Sequence, residues 1–243
     1  MKLAEDSLER FADSGLGAAS AVPAIPSIHP LPLLPGPDDP SERIDALLRS
    51  LHVLAPFAPS AVVCLTGPGD RGTVVDGLGR IAREAQRLNL RLALEPFQRE
   101  GVESWSIVST LTDAAELIDE VGAPETIGIQ FDVWHLWNAP DLFEEIETHA
   151  HRFAGVHVND WREPTRGWAD RVLPGDGVAD VPAILGALDR AGWDGYYDLE
   201  IFSDNGAFGN AYEGSLWDVQ PAELVAQSRE SFASCWERRT VTA

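Results

Sequence analysis

The sequence predicts an α/β protein built on a parallel sheet covered by helices, and three observations carry that expectation. From about residue 60 onward, strand-like and helix-like segments alternate regularly. The strand-like segments are short and apolar, as strands buried under helices are. The chain has 243 residues, enough for one large domain with a sizeable core, and α/β barrels commonly occupy this length as a single unit.

Taken in order, "LAEDSLERFADSG" reads as a helix and "GLGAASAVPAI" as a strand. The Pro-rich connector "PAIPSIHPLPLLPGP" reads as a long loop, of the kind that often lies over a site. "DDPSERIDALLRSLHVLA" predicts a helix. Asp39 caps it, Pro40 suits its first turn, Glu42 completes a capping box, and Ile44, Leu47, Leu48 and Leu51 form its apolar stripe. The strand "AVVCLT" follows, then a helix with Val75, Leu78, Ile81, Ala82, Ala85 and Leu88 on one face. "LRLALEPF" is a strand stopped by Pro96, and "TDAAELIDEVG" a helix closed by Gly122. After them come strand "TIGIQFD", helix "PDLFEEIETHAHR", strand "FAGVHV", helix "DVPAILGALDRAG", strand "GYYDLEIF" and helix "PAELVAQSRESFASCW". The expected count is six strands.

Composition narrows the function classes. Asp plus Glu number 39 against 18 Lys plus Arg, a formal charge of −21. Such a surface repels phosphate backbones, which argues against a general nucleic-acid binder. Cys64 and Cys235 lie far apart with no CxxC partner, so free thiols in a reducing cytosol are expected. No secretory signal and no membrane-spanning run is read, and a cytoplasmic location is expected.

The chemistry gathers at strand ends. Ile127, Ile129 and Phe131 alternate as a buried strand would, yet the run ends in Asp132, with His135 three residues on. Desolvating a carboxylate is costly unless something compensates. Three other late strands also finish with a metal-capable residue: Glu95 in "LALEPF", His157 in "VHVND" and Glu200 in "DLEIF". In parallel α/β architectures the C-terminal strand ends form the active-site face. Two glutamates, an aspartate and a histidine converging there suit one divalent ion, Mn, Co, Mg or Zn. Singly, each is more often a solvated carboxylate or a structural histidine. Four in succession at the same point of a βα unit are hard to assign to chance.

On these blocks, "LALEPF", "FDVWHLW", "VHVNDWR" and "LPGDGVADVPAILGALDRAGWDGYYDLEIF", the sequence resembles the xylose-isomerase-like barrel superfamily. Within it, the likeness is to the sugar phosphate isomerase/epimerase branch with its ketose 3-epimerases and inosose isomerases. The resemblance runs from about Ala61 to Phe202 and implies a (β/α)8 TIM-barrel fold. It implies metal ligation by Glu95, Asp132, His157 and Glu200, with Glu95 and Glu200 also moving the proton, and substrate contacts from His135 and Arg162. Trp134, Trp137, Trp161 and Trp168 cluster in the same loops. They can wall a sugar or cyclitol ring, or equally pack the loops. The implied reaction is isomerisation or epimerisation of a small carbohydrate, ketose or cyclitol. A proton next to a carbonyl is removed and returned through an enediolate, beside one divalent metal.

Set against the family pattern, Glu95 falls on the fifth strand, Glu200 on the eighth and "GLGAASAV" on the third. The expectation is therefore one barrel domain over residues 1–243 lacking its first two strands, either through a late start, or as a fragment, or with a second chain or a homo-oligomer covering the gap. Other readings share the site: a metal-dependent lyase or dehydratase, a deglycosidase, or a non-catalytic remnant. A related barrel class of apurinic endonucleases uses extra histidines to hold several zinc ions. Here Val172 stands where a second histidine would be expected, which favours one metal.

Overall fold

A computed structural model of the chain describes residues 3–32, 34, 36–97 and 105–239. Leu33 and Pro35 of the Pro-rich connector lie outside the described residues. One six-stranded sheet has the order β1 (Ser20–Ala21), β2 (Ala61–Cys64), β3 (Leu92–Leu94), β4 (Ile127–Asp132), β5 (Phe153–Val158) and β8 (Tyr197–Leu199). The pairs β1–β2, β2–β3, β3–β4 and β5–β8 run parallel. The six predicted strands are all present, with helices between them. The structure adds a small antiparallel hairpin, β6 (Asp160–Trp161) with β7 (Arg171–Val172), which the sequence reading did not anticipate. The chain folds as two compact units, Met1–Phe131 with Arg152–Gly155, and Asp132–His151 with Val156–Ala243.

The first unit carries α1 (Ser7–Ser14), α2 (Pro40–Leu54), α3 (Arg71–Arg87) and α4 (Leu111–Val121). α2 starts where Asp39 accepts the Ser41 N–H at 2.7 Å, with Pro40 at the first helical position. The reciprocal capping box expected there is found at α4 instead, between Thr110 and Asp113. α4 ends at Gly122, whose φ of 74° is the left-handed conformation that a side chain disfavours. β1 is shorter than predicted because the Pro-rich stretch breaks it. The chain then resumes beside β2, where Ile28 and His29 donate backbone N–H groups to Leu65 and Thr66. Leu31, Val63, Leu65 and Phe97 form one buried cluster, and Ala61, Ala93 and Ala154 another. Burial pushes the Cys64 thiol up to about 12, so this free cysteine is an inert core residue.

The second unit carries α5 (Val133–Leu136), α6 (Leu142–His149), α7 (Val181–Arg190) and α8 (Pro221–Arg238), with α7 packed on α6 and α8. Asp180 caps α7 through the Ala183 N–H, and Pro182 occupies its first turn. Ile184, Leu185, Ala187 and Leu188 supply the buried stripe of α7. Among the described residues, no helix is long and apolar enough to cross a membrane.

Candidate active site

The chemistry of the second unit is assembled around Asp132. It is the last residue of β4 and also caps the one-turn helix α5, so strand and helix geometry fix its two oxygens differently. Oδ1 accepts the Trp134 N–H at 2.8 Å and Asn159 Nδ2 at 2.9 Å. Oδ2 accepts Arg171 Nη1 at 3.2 Å, and His135 Nε2 stands 3.8 Å away. Capping a buried turn with a carboxylate also places His135 one turn on, beside that same carboxylate.

His157 and Glu200 come from the paired strands β5 and β8. His157 lies opposite Asp198 in register, and Glu200, the first residue after β8, donates its N–H to Val158 O. This register sets His157 Nδ1 3.5 Å from Glu200 Oε2. Ligand-capable atoms of Asp132, His157 and Glu200 lie within 4.8 Å of one another. Of the four sequence-predicted ligands, these three come from the second unit and lie together. Glu95, in the first unit, is buried one residue beyond β3, and its N–H donates to Cys64 O at 3.2 Å. Leu94 pairs with Ile129, so β3 ends alongside β4.

Arg171, to which the strand-end pattern did not point, meets the carboxylates of Asp132 and Glu200. It is almost fully buried, at 4% exposure. Nη1 donates to Glu200 Oε2 at 2.5 Å as well as to Asp132, and the guanidinium stacks over the rings of Trp134 at 4.7 Å and Phe202 at 4.9 Å. The β6–β7 hairpin holds it, with Trp161 opposite Arg171 in register. The hairpin is closed by Asp160, whose carboxylate accepts the backbone N–H groups of Trp161, Gly175, Gly177 and Ala179. A Cβ at Gly177 would stand 2.4 Å from Asp160 Oδ1, so only glycine allows this approach. The "PGDG" motif is thus a ligand set for a structural carboxylate. Asn159, two residues after His157, was also missed, although "HVND" showed it adjacent.

Electrostatics divides the two carboxylates. Burial raises the Asp132 carboxyl above the usual carboxylate range, Arg171 opposes, and the like charge of Glu200 adds to the rise. Burial acts on Glu200 in the same sense but is outweighed by Arg171 and His157, which hold it well below that range.

The aromatic expectation divides. Trp134 and Trp161 are in contact, with centroids 5.0 Å apart, and Trp137 stacks on Trp161 at 6.2 Å. Trp168 packs instead with Phe202 and Phe208. Arg162 does not join the carboxylates of Asp132 and Glu200. Its Nε donates to Asp170 at 3.1 Å, and its side chain is 38% exposed.

Comparison with known proteins matches residues 57–235 to the family described as xylose isomerase-like TIM barrel. An inosose dehydratase of Geobacillus thermodenitrificans is 24% identical over 158 residues, 59% of this chain and 50% of the relative. A Streptomyces coelicolor protein, provisionally named a hydroxypyruvate isomerase, is 28% identical over 188 residues, 69% of this chain and 64% of that relative. The chain thus spans between half and under two thirds of the length of these curated relatives. Among solved structures, that of the IOLI protein with a binding zinc atom superposes with a TM-score of 0.73 at 16% identity, covering 98% of this chain and 84% of the other. A match over most of the sequence, on a sheet of the expected topology, places the chain in the xylose isomerase-like TIM barrel family.

Proposed function

We propose that the protein is a divalent-metal-dependent isomerase or epimerase of a small sugar, ketose or cyclitol. The observation that carries this reading is the trio of buried Asp132, buried His157 and partly exposed Glu200, with ligand atoms within 4.8 Å of one another. Carboxylate oxygens with one imidazole nitrogen make a mixed donor set that suits Mn, Co, Mg or Zn. Glu95 is the proposed fourth ligand, supported by its place just beyond β3, at a strand end as the other three are. The zinc atom named for the IOLI structure agrees with such a site in this fold.

When bound, the ion supplies polarisation of a substrate carbonyl and hydroxyl, which acidifies the neighbouring C–H and favours an enediolate. The protein's own groups do the rest. Glu200 and Glu95 are the proposed pair that takes up and returns the proton, with Arg171 loosening its hold on Glu200 as the proton arrives. His135 and Arg171 offer N–H donors to substrate oxygens. Trp134 and Trp161 supply a flat apolar wall for a ring or carbon chain. Arg162, tied to Asp170 and partly exposed, is assigned no more than a marginal contact with substrate in this reading.

A dehydratase is the second reading, favoured by the inosose dehydratase relative. It shares the first proton removal and differs in the fate of the carbanion. Elemental analysis of wild type and Glu200→Ala tests the metal, with about one ion per chain expected in the first and little in the second. Incubating wild type with ketoses and cyclitol ketones in D2O tests the reaction. Deuterium at the carbon next to the carbonyl, with an epimer or isomer formed, supports the first reading, and an enone with loss of water the second. No exchange with any ketone in the metal-loaded protein would sink both.

A further inference from the structure

We propose that Arg171 is a resident counter-cation of the carboxylate pocket, holding Asp132 and Glu200 in place in the metal-free protein and competing with the metal for the same oxygens. The inference rests on the proposed reading of Asp132 and Glu200 as ligands, and goes beyond it by assigning a cation that the chain itself supplies.

Three observations carry it. A single atom, Arg171 Nη1, bridges two carboxylates delivered by different strands, 3.2 Å from Asp132 Oδ2 and 2.5 Å from Glu200 Oε2. It also reaches the Glu200 carbonyl oxygen at 3.4 Å. A guanidinium with one nitrogen on two anions does for them what a small cation does.

The second observation is the division of oxygens on Asp132. Oδ1 is already committed to Trp134 N–H and Asn159 Nδ2. Oδ2, the oxygen that remains for a cation, is the one Arg171 holds. A metal drawing on Asp132 therefore shares Oδ2 with Arg171 or weakens that bond.

The third is confinement. The guanidinium sits against Trp134 and Phe202, and the backbone of Arg171 is pinned by its N–H to Phe202 O at 2.9 Å and by pairing with Trp161. Swinging out to water would break the ring contacts and strip both carboxylates together. A cation so enclosed stays near the anions when a metal arrives. Arg171 places one positive charge against both carboxylates and keeps their oxygens aimed at a shared point before any metal enters.

A purely structural ion pair would also make Arg171 matter for stability, so the test must separate the two roles. Thermal unfolding of wild type, Arg171→Met and Arg171→Lys is measured in EDTA and in saturating Mn²⁺, with Mn²⁺ affinity from calorimetric titration. Arg171→Met is expected to melt lower in EDTA, to recover part of the loss on adding Mn²⁺, and to bind Mn²⁺ roughly tenfold more tightly. Arg171→Lys, which keeps the charge, should stand between. If wild type and Arg171→Met gain equally from Mn²⁺ and bind it equally, Arg171 is only structural and the inference is overturned. If wild type takes up no metal, the functional reading itself falls. Should Arg171→Met not fold, the same Mn²⁺ titration of Arg171→Lys decides: tighter binding than wild type supports the inference, and equal binding overturns it.

Discussion

Among the described residues two arginines are buried, and comparing them separates structure from chemistry. Arg43, in the first unit, is 1% exposed and donates to three uncharged acceptors: Ser27 O at 3.0 Å, Ser27 Oγ at 2.6 Å and Pro37 O at 2.9 Å. It fastens the Pro-rich connector to α2. Arg171, in the second unit, is 4% exposed and donates to two carboxylates. Carbonyls and hydroxyls do not titrate or bind a transition metal tightly, so the surroundings of Arg43 can only hold shape. Carboxylates do both. What a buried cation faces, rather than its burial, marks a site.

Removing Arg43 should give the largest loss of stability without touching the metal. Arg43→Met leaves the Ser27 and Pro37 acceptors without their donor, at a cost of about 2–3 kcal/mol, offset in part because the buried cation also disappears. Urea unfolding should show the midpoint falling by that amount while metal content per chain stays at the wild-type value. Loss of metal together with stability would break the distinction between the two arginines.

A smaller effect is expected at Asp170, a second place where arginine meets a buried acid. Its oxygens accept Arg162 Nε, Arg166 Nε and Nη2, and the Arg166 backbone N–H. Burial would raise this carboxyl, but Arg166 and Arg162 outweigh it and hold it below the usual carboxylate range. A depressed folded-state value means the stabilisation is present above the unfolded value of about 3.9 and is lost as pH falls through the folded one. Asp170→Asn should therefore be less stable than wild type by about 1–2 kcal/mol at pH 6, with the gap closing below about pH 4. Other carboxylates titrate in both proteins, so the difference between the two unfolding curves is the quantity to follow. A gap that stays constant down to pH 3 would show that Asp170 acts by packing rather than by charge.

How much of this could be read from the sequence depends on how local each signal is. β5 begins and ends where "FAGVHV" predicted, and Gly122 closes α4 as expected, because apolar runs and C-terminal glycines act within a few residues. Asp132, His157 and Glu200 were legible for the same reason: each is a charged or polar residue at the end of an apolar run. Arg171 was not. Its position depends on a hairpin of two-residue strands, too short to carry periodicity, and on Asp160 gathering amide groups from up to nineteen residues away. β1 faded for a related reason, since prolines split it and the rest of its pairing reappears at Ile28 and His29. Arg43 escaped notice because it sits beside the apolar stripe of α2, where an arginine reads as solvated.

Arg162 offers the finest test of the comparison, because sequence resemblance pointed to it and geometry points to its neighbour nine residues on. Its guanidinium is tied to Asp170 and is partly in water, so any contact with substrate is screened and replaceable. Arg162→Ala is expected to raise KM by no more than about fivefold and to leave kcat unchanged, the signature of an interaction equal in ground and transition states. Steady-state kinetics on whichever ketone shows deuterium exchange would supply both constants. A fall in kcat of a hundredfold or more would mean that Arg162 leaves Asp170 to meet the reacting atoms. The partner of the two site carboxylates would then be only part of the cationic equipment. A change confined to KM would leave Arg171 as the arginine that matters to the chemistry, set apart from Arg162 by the acids it faces.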